Sequence, residues 1–231
     1  MTERTVELTP SQLELAVDQV IQSRKSVKVI GDVDNIPQIS ENFFGEVREA
    51  MRVAGWAPFH FTAHDSHLDR ELNSPVPWRF YALDQQNCLR LIDSLIAHPQ
   101  LGLDKSAAIL RMIAAYGALV LVTWLPEPEN SSSEVEAERR ALKNEEHVAA
   151  TAAAIQNLLL AATARNIDSY WSSGGALREK ACFEVCKIPE QERLLGAIFL
   201  APEMPGREGV RPGKLREKRG TPEQWMTSVV I

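Results

Sequence analysis

Apolar residues recur at spacings of three and four in six stretches of the chain, a pattern typical of helices that bury one face. The stretches are Thr9–Ser23, Ser40–Ala54, Gln85–Ala97, Lys105–Ala115, Ser133–Arg165 and Leu177–Val185. The fifth stretch is apolar on nearly every side in its second half, so we expect it to be the central, largely buried helix. Asn166 follows it, and Asn suits the left-handed backbone position that ends a helix.

Two continuous apolar runs, Gly117–Trp124 and Leu194–Ala201, predict strands that are buried on both faces. The segment Pro75–Leu83 predicts a proline-stiffened approach to a third strand. The short β-prone segment Thr227–Ile231 can add to a sheet edge, either of this chain or of a partner. A chain of 231 residues is long enough to bury one full core, and we expect a single domain over residues 1–231.

The net negative charge of the chain bears on which kinds of partner it can bind. The chain carries 31 acidic and 25 basic residues, a net charge of −6, which argues against non-specific binding to nucleic acid or to an anionic membrane. Three cysteines give no paired framework and indicate a reducing compartment. We find no N-terminal signal pattern and no apolar run of about 18 residues, so the cytosol is the expected location.

Basic residues nevertheless cluster in two places. In an extended Ser23–Ile30 segment, Arg24, Ser26 and Lys28 would point to one side, because side chains alternate along a strand. Two cations and a hydroxyl suit a phosphate dianion, although a solvated basic edge is the plainer interpretation. The second cluster lies in the tail and comprises Arg207, Arg211, Lys214, Arg216, Lys218 and Arg219.

The segment after the central helix reads Tyr170-Trp171-Ser172-Ser173-Gly174-Gly175. A Ser-Ser-Gly-Gly loop exposes backbone N–H groups with little side chain around them, which suits the close approach of a flat polar ligand. The alternative is an ordinary loop that only connects two helices.

The histidines at positions 60, 64 and 67 have the spacing of metal ligands on a helix, and zinc could bind two of them with a third ligand. The chain has no His-Glu-x-x-His pattern here, and no obvious catalytic base lies nearby. We therefore expect no metal, and interpret this stretch as a flexible polar loop near a binding site. Cys182 and Cys186 share a helix face, and we expect them to be packing thiols rather than a redox pair.

Taken together, the segments resemble the nitroreductase family of FMN-dependent flavoproteins. Ser23–Lys28 is similar to that family's Arg-Arg-Ser-x-Arg phosphate anchor. Ala57-Pro58 and Pro77-Trp78-Arg79-Phe80 are similar to its Ala-Pro-Ser and Asn-x-Gln-Pro-Trp-Arg-Phe segments. Ala154–Ala162 resembles its central helix, and Trp171–Gly175 the loop that lies against its flavin ring.

The resemblance extends to the tail, where Arg219 stands at the position of a basic residue that binds the FMN phosphate. Three positions depart from the family pattern: Phe59 replaces a Ser, Val76 replaces a Gln, and Asn73 stands one place too far from Pro77. Residues 59–74 would be an insertion, and residues 207–231 a C-terminal arm.

The resemblance implies an α+β fold, with a central and mainly antiparallel sheet flanked by helices. It also implies an intertwined homodimer with FMN at the subunit interface. The residues expected to bind FMN are Arg24, Lys25, Ser26, Lys28, Pro58, Asn73, Trp171, Ser172, Ser173, Gly174, Gly175, Lys218 and Arg219. No acid–base side chain is expected, because hydride transfer belongs to the cofactor.

Three functions follow from these patterns. The first is an FMN-dependent oxidoreductase that uses NAD(P)H to reduce a small electrophile such as a nitroaromatic or a quinone. The second is a flavin-binding protein without turnover, for storage or sensing, which the departures at Phe59, Val76 and Asn73 would explain. The third is a metal-dependent hydrolase built on the three histidines.

Overall fold

A four-stranded antiparallel sheet forms the centre of the protein. The computed structural model describes residues 7–69, 71–129, 133–203, 210–213 and 215–230. The strands in these residues are β1 (Val27–Val29), β2 (Trp78–Asp84), β3 (Ala118–Trp124), β4 (Ile167–Ser172), β5 (Arg193–Pro202) and β6 (Val210–Pro212). The central sheet has the order β2-β3-β5-β4, and β1 pairs separately with β6.

Helices cover both faces of the central sheet. They are α1 (Pro10–Ser23), α2 (Phe43–Ala54), α3 (Gln85–Ala97), α4 (Ala108–Ala115), α5 (Glu134–Thr163) and α6 (Lys180–Cys186). Residues of α2 and α5 share one apolar core with one face of the sheet. Residues of α3, α4 and α6 share a second core with the opposite face. The predicted α+β class with a central antiparallel sheet is confirmed.

Several predicted elements occur at the expected positions. The helix α3 spans Gln85–Ala97 as predicted, and Asp84 caps it by accepting a hydrogen bond from the Asn87 backbone N–H at 2.8 Å. Thr9 and Gln12 form the capping box that begins α1. Asn166 has φ = 55°, the left-handed conformation expected after the long helix.

Other boundaries differ from the predictions because local hydrogen bonds compete with the helix. Ser40 accepts a bond from the Asn42 N–H in a turn, and α2 begins only at Phe43. The Asp104 carboxylate likewise accepts from the Ser106 N–H, so that α4 begins at Ala108 rather than near Lys105.

Three segments were predicted wrongly or incompletely. The single helix predicted over Leu177–Val185 is divided into a 3₁₀ turn, Gly175–Arg178, and the helix α6. The stretch Ile167–Ser172 is the strand β4, which no apolar run in the sequence predicts. Thr227 to Val230 form no strand within this chain, and Ile231 lies outside the described residues.

One tyrosine ties β1 to the core. The buried Tyr116 hydroxyl accepts a hydrogen bond from the Val29 N–H at 3.0 Å and donates to the Val27 carbonyl. These bonds satisfy the edge of β1 that faces away from β6. The position of this short strand is therefore set by a residue at the end of α4.

The helix α1 buries none of its residues, and its apolar side chains at Leu13, Leu15, Val17 and Ile21 are exposed. The C-terminal residues Trp225, Met226, Val229 and Val230 are exposed as well. None of the described helices combines the length and the apolar character needed to cross a membrane. The division of the chain into one domain with an insertion and an arm stays a prediction.

Candidate functional site

The two basic clusters of the sequence meet in the folded chain. The Arg216 guanidinium donates a hydrogen bond to the Arg24 carbonyl at 2.6 Å and another to the Gln22 carbonyl. Partial burial, followed by the positive charges of Arg216 and Arg219, lowers the pKa of Arg24 below its ordinary value. Within the described residues, no carboxylate forms an ion pair with any of these three arginines.

Strand pairing brings these two clusters together although most of the sequence lies between them. β1 pairs antiparallel with β6, and Lys28 stands opposite Arg211. Gly213 continues the contact, because its N–H donates to the Ser26 carbonyl at 3.2 Å. A side chain at position 213 would come within 3.2 Å of the Ser26 Cβ, so glycine permits this close approach. Arg207 and Lys214 lie outside the described residues.

The same strand lies beside β4. Ser26 forms a parallel bridge with Ser169, and the Lys28 ammonium lies 5.5 Å from the centre of the Tyr170 ring. Lys25 lines a cavity of about 150 Å³ with Asp168 and Glu203. The basic cluster at β1 and the loop that ends β4 are thus neighbouring parts of one surface.

The loop after β4 is shaped by two glycines. Gly174 and Gly175 have φ values of 106° and 53°, which favour glycine. No atom of the described residues lies within 4 Å of the position that a Cβ of Gly175 would occupy, so a ligand can approach this backbone directly. Gly175 begins a 3₁₀ turn, and its N–H therefore has no acceptor within that turn. Ser172 stabilises the loop by accepting a bond from the Gly174 N–H at 3.2 Å.

Trp171 is less available than the sequence analysis expected. Its indole lies across Gly196 of the neighbouring strand, where a Cβ would be only 2.2 Å from the indole Nε1. The side chain keeps 36% of its surface exposed. On the inner side of the loop, the Arg178 guanidinium donates to the Ser173 carbonyl, and to the Leu195 carbonyl at 3.4 Å.

The segments around Pro58 and Trp78 are in contact. The rings of Phe59 and Trp78 meet edge to face with centroids 5.8 Å apart, and Pro58 and Asn73 are exposed. Arg79, which the sequence marks only as part of a motif, is buried and donates hydrogen bonds to four backbone carbonyls of the segment that carries Asn73.

The three histidines do not converge. His60 lies 2.9 Å from a Glu146 carboxylate oxygen, whereas His64 pairs with the nearby Ser66 at 2.9 Å. His67 is buried and lies 2.9 Å from the Pro126 carbonyl. Across the part of the chain that the structure describes, no group of three or more His, Cys, Asp or Glu side chains is arranged to hold a metal ion. The helical spacing fails because only Asp65–His67 is helical.

Comparison with known proteins decides the family. The sequence profile described as "Nitroreductase family" matches residues 44–201, more than half of the chain. The chain belongs to the nitroreductase family. The resemblance drawn from the sequence is therefore confirmed. No curated protein matches the chain.

Solved structures agree with this assignment. A nitroreductase-like family protein from Bacillus cereus is similar over 94% of this chain and 97% of its own, with a TM-score of 0.58 and 18% identity. The nitroreductase CinD from Lactococcus lactis, in complex with chloramphenicol, is similar over 92% of this chain and 99% of its own, with a TM-score of 0.55 and 17% identity.

A nitroreductase from Bacteroides fragilis NCTC 9343 was solved with bound FMN. It covers 83% of this chain and 90% of its own, with 19% identity and a TM-score of 0.48. Identities this low show the fold, so the residues that would bind FMN in this nitroreductase-family chain stay predictions.

Proposed function

We propose that this member of the nitroreductase family is an FMN-dependent oxidoreductase that uses NAD(P)H to reduce a small electrophile such as a nitroaromatic or a quinone. The observation that carries the proposal is the convergence of Arg24 with Arg216 and Arg219 from opposite ends of the sequence. These three cations have no paired carboxylate among the described residues and repel one another, and a phosphate dianion between them would relieve that repulsion.

The basic cluster fits the phosphate of FMN. Arg24, Ser26 and Lys28 approach from β1, and Lys218 and Arg219 lie in the 3₁₀ turn that also carries Arg216. Guanidinium groups bind phosphate oxygens through two parallel hydrogen bonds, which suits Arg24 and Arg219. Lys25, which faces Asp168 and Glu203 across a small cavity, is the weakest member of this set.

The loop after β4 fits the flavin ring. Gly175 offers open space and an N–H without an acceptor in its turn, and such a donor can stabilise negative charge that develops near the edge of the ring. The same side of the flavin ring would also contact Ser172, Ser173, Gly174 and the exposed part of Trp171. Pro58 and Asn73 would approach from the segments joined by Phe59 and Trp78.

When bound, FMN supplies the hydride chemistry. The tasks left to this chain are to bind the phosphate, to orient the ring and to hold donors at its edge. No general acid or base is needed among the side chains for these tasks, and we assign none.

We also propose that the working unit is a homodimer. The apolar side chains of Leu13, Val17 and Ile21 follow one another along one face of α1 and stay exposed in the described chain. Trp225 and Val229 in the C-terminal arm are exposed too. Apolar surface of this kind is typical of subunit interfaces. The proposed compartment is the cytosol, consistent with the three free cysteines.

The first experiment asks whether the purified protein binds FMN. The protein is mixed with FMN, separated from the free cofactor, and its visible spectrum is recorded, with riboflavin as the matched ligand that lacks a phosphate. We expect a yellow protein with FMN and at least tenfold weaker binding of riboflavin. Protein that stays colourless after incubation with FMN would refute the proposal.

A flavin-binding protein without turnover is the second candidate. Phe59 favours it, because its ring packs against Trp78 at the position where the family pattern has a small hydroxyl residue. Anaerobic stopped-flow mixing with NADH and then NADPH separates the two functions. Rapid bleaching of the flavin absorbance supports the oxidoreductase, whereas a flavin that stays oxidised over minutes supports the second candidate.

A further inference from the structure

The segment from Leu72 to Trp78 is held by one buried guanidinium. Arg79 Nε donates to the Leu72 carbonyl at 3.1 Å, and Nη2 donates to the Ser74 carbonyl at 2.9 Å. Nη1 donates to the carbonyls of Val76 and Trp78 at 2.9 and 2.8 Å. Every second carbonyl of the segment thus points at the same cation, around which the chain bends at residues 75–77.

The remaining carbonyls are bound from other parts of the protein. The Pro75 carbonyl accepts from the Ala63 N–H at 2.9 Å, and the Pro77 carbonyl from the Leu125 N–H at 3.0 Å. Within the described hydrogen bonds, Asn73 is the one residue between Leu72 and Trp78 whose carbonyl has no donor. The side chain of Asn73 is exposed as well. The backbone is therefore held on both sides of Asn73, and the Asn73 side chain, like those of Leu72 and Ser74, is exposed.

A buried arginine at position 79 does not maximise the stability of the fold. Only 5% of its surface is exposed, and burial lowers its pKa, an effect that the charge of Glu192 opposes. Glu192 is itself buried and accepts hydrogen bonds from Tyr81 and Thr123. Burying charges costs free energy that an apolar side chain of similar size would avoid. Five donors in a rigid plane, however, can fix several carbonyls at once.

We propose that Arg79 is a positioning residue for the flavin site, which it serves by fixing the backbone on either side of Asn73 so that the Asn73 amide meets the flavin. This inference rests on the proposed FMN-binding function. In this proposal Arg79 holds Asn73 in position, and Arg79 itself does not contact the cofactor.

The test is a double-mutant cycle on the full-length protein. FMN dissociation constants are measured by quenching of flavin fluorescence for the wild type, Arg79→Lys, Asn73→Ala and the double variant. Lysine keeps the charge but cannot span four carbonyls. We expect each single substitution to weaken FMN binding at least fivefold, and the double variant to bind no more than twofold more weakly than the worse single variant.

A purely structural role predicts a different result. The effects of the two substitutions would then multiply in the double variant, and that outcome would overturn the inference, as would wild-type affinity in Arg79→Lys. Arg165→Lys is the matched control, because Arg165 also donates to a backbone carbonyl, that of Ala161, at the end of α5. Its FMN affinity should equal that of the wild type.

Two further comparisons complete the design. If Arg79→Lys is not recovered folded, Arg79→Gln replaces it, since the amide keeps two N–H donors without a charge to bury. The same cycle and the same criteria then apply. A wild-type protein that binds no FMN would refute the proposed function together with this inference, whereas FMN binding that is insensitive to Arg79 would refute the inference alone.

Discussion

Two arginines of this nitroreductase-family protein occupy opposite environments. Arg79 is buried, uses its guanidinium on four backbone carbonyls and lies within the field of the Glu192 carboxylate. Arg24 is only partly buried, and the charged groups that most affect it are two other arginines. One guanidinium is satisfied by the protein, and the other is surrounded by like charge.

The contrast is between a structural cation, Arg79, and the proposed anion-binding cation, Arg24. Removing the first leaves carbonyls without donors, which lowers stability. Removing Arg24 relieves repulsion in the free protein and takes away the group that we propose to bind the FMN phosphate. Arg79 substitutions should therefore change both the free energy of unfolding and the affinity for FMN, whereas Arg24 substitutions should change chiefly the affinity for FMN.

Among these predictions, the largest effect is expected for the stability of the Arg79→Ala variant. We expect the free energy of unfolding to fall by about 3 kcal/mol, because several carbonyls lose their donor inside the protein. Urea unfolding followed by circular dichroism measures this value. Arg165→Ala, which removes one bond to a helix-terminal carbonyl, should cost less than about 1 kcal/mol. Equal losses for the two variants would contradict the structural role of Arg79.

Tyr116→Phe tests whether FMN binding by the cluster around Arg24 depends on the position of β1. The variant leaves the Val29 N–H and the Val27 carbonyl without their buried partner, at a cost of about 2 kcal/mol. We also expect weaker FMN binding, measured by fluorescence titration. Tyr170→Phe is the control, since it keeps the ring next to Lys28 and should change stability by less than about 0.5 kcal/mol.

Arg24→Ala should affect binding without affecting stability. We expect FMN affinity to fall tenfold or more, about 1.4 kcal/mol, since a charge-assisted contact to the phosphate is lost. The urea midpoint should stay close to that of the wild type. Riboflavin affinity serves as the internal control and should not change. Unaltered FMN affinity would mean that the phosphate anchor lies elsewhere.

The smallest expected effect is a response to salt. Raising the sodium chloride concentration from about 50 to about 200 mM should weaken FMN binding by a few-fold, because the arginine cluster is partly exposed and screened. Arg219→Gln should make the dissociation constant less dependent on salt. The stability difference between the wild type and Arg79→Ala should stay the same over this range, since buried interactions are screened little.

Local signals in the sequence predicted most of the fold. The capping box at Thr9 and Gln12, the exact span of α3 and the left-handed Asn166 all depend on neighbouring residues, and each was found where expected. The strand β4 was missed because it follows the helix directly and carries no continuous apolar run. Its partner β5 lies more than 20 residues away in sequence and supplies the ladder.

The candidate site was harder to predict, because its residues also come together only through contacts between distant parts of the sequence. The sequence indicated the two basic clusters, but it favoured Arg219 over Arg216, and only the fold reveals that Arg216 binds the carbonyls of Gln22 and Arg24. Arg79 and Tyr116 carried no signal as single residues. Both act on backbone groups, which look alike at every position of a sequence.

The pairing of β1 with β6 joins residues 27–29 to residues 210–212. A growing polypeptide therefore holds its first basic cluster long before it obtains the second. If FMN binds at this surface as proposed, cofactor loading must wait for β6, and a nascent chain that ends before Val210 would leave the ribosome as an apoprotein.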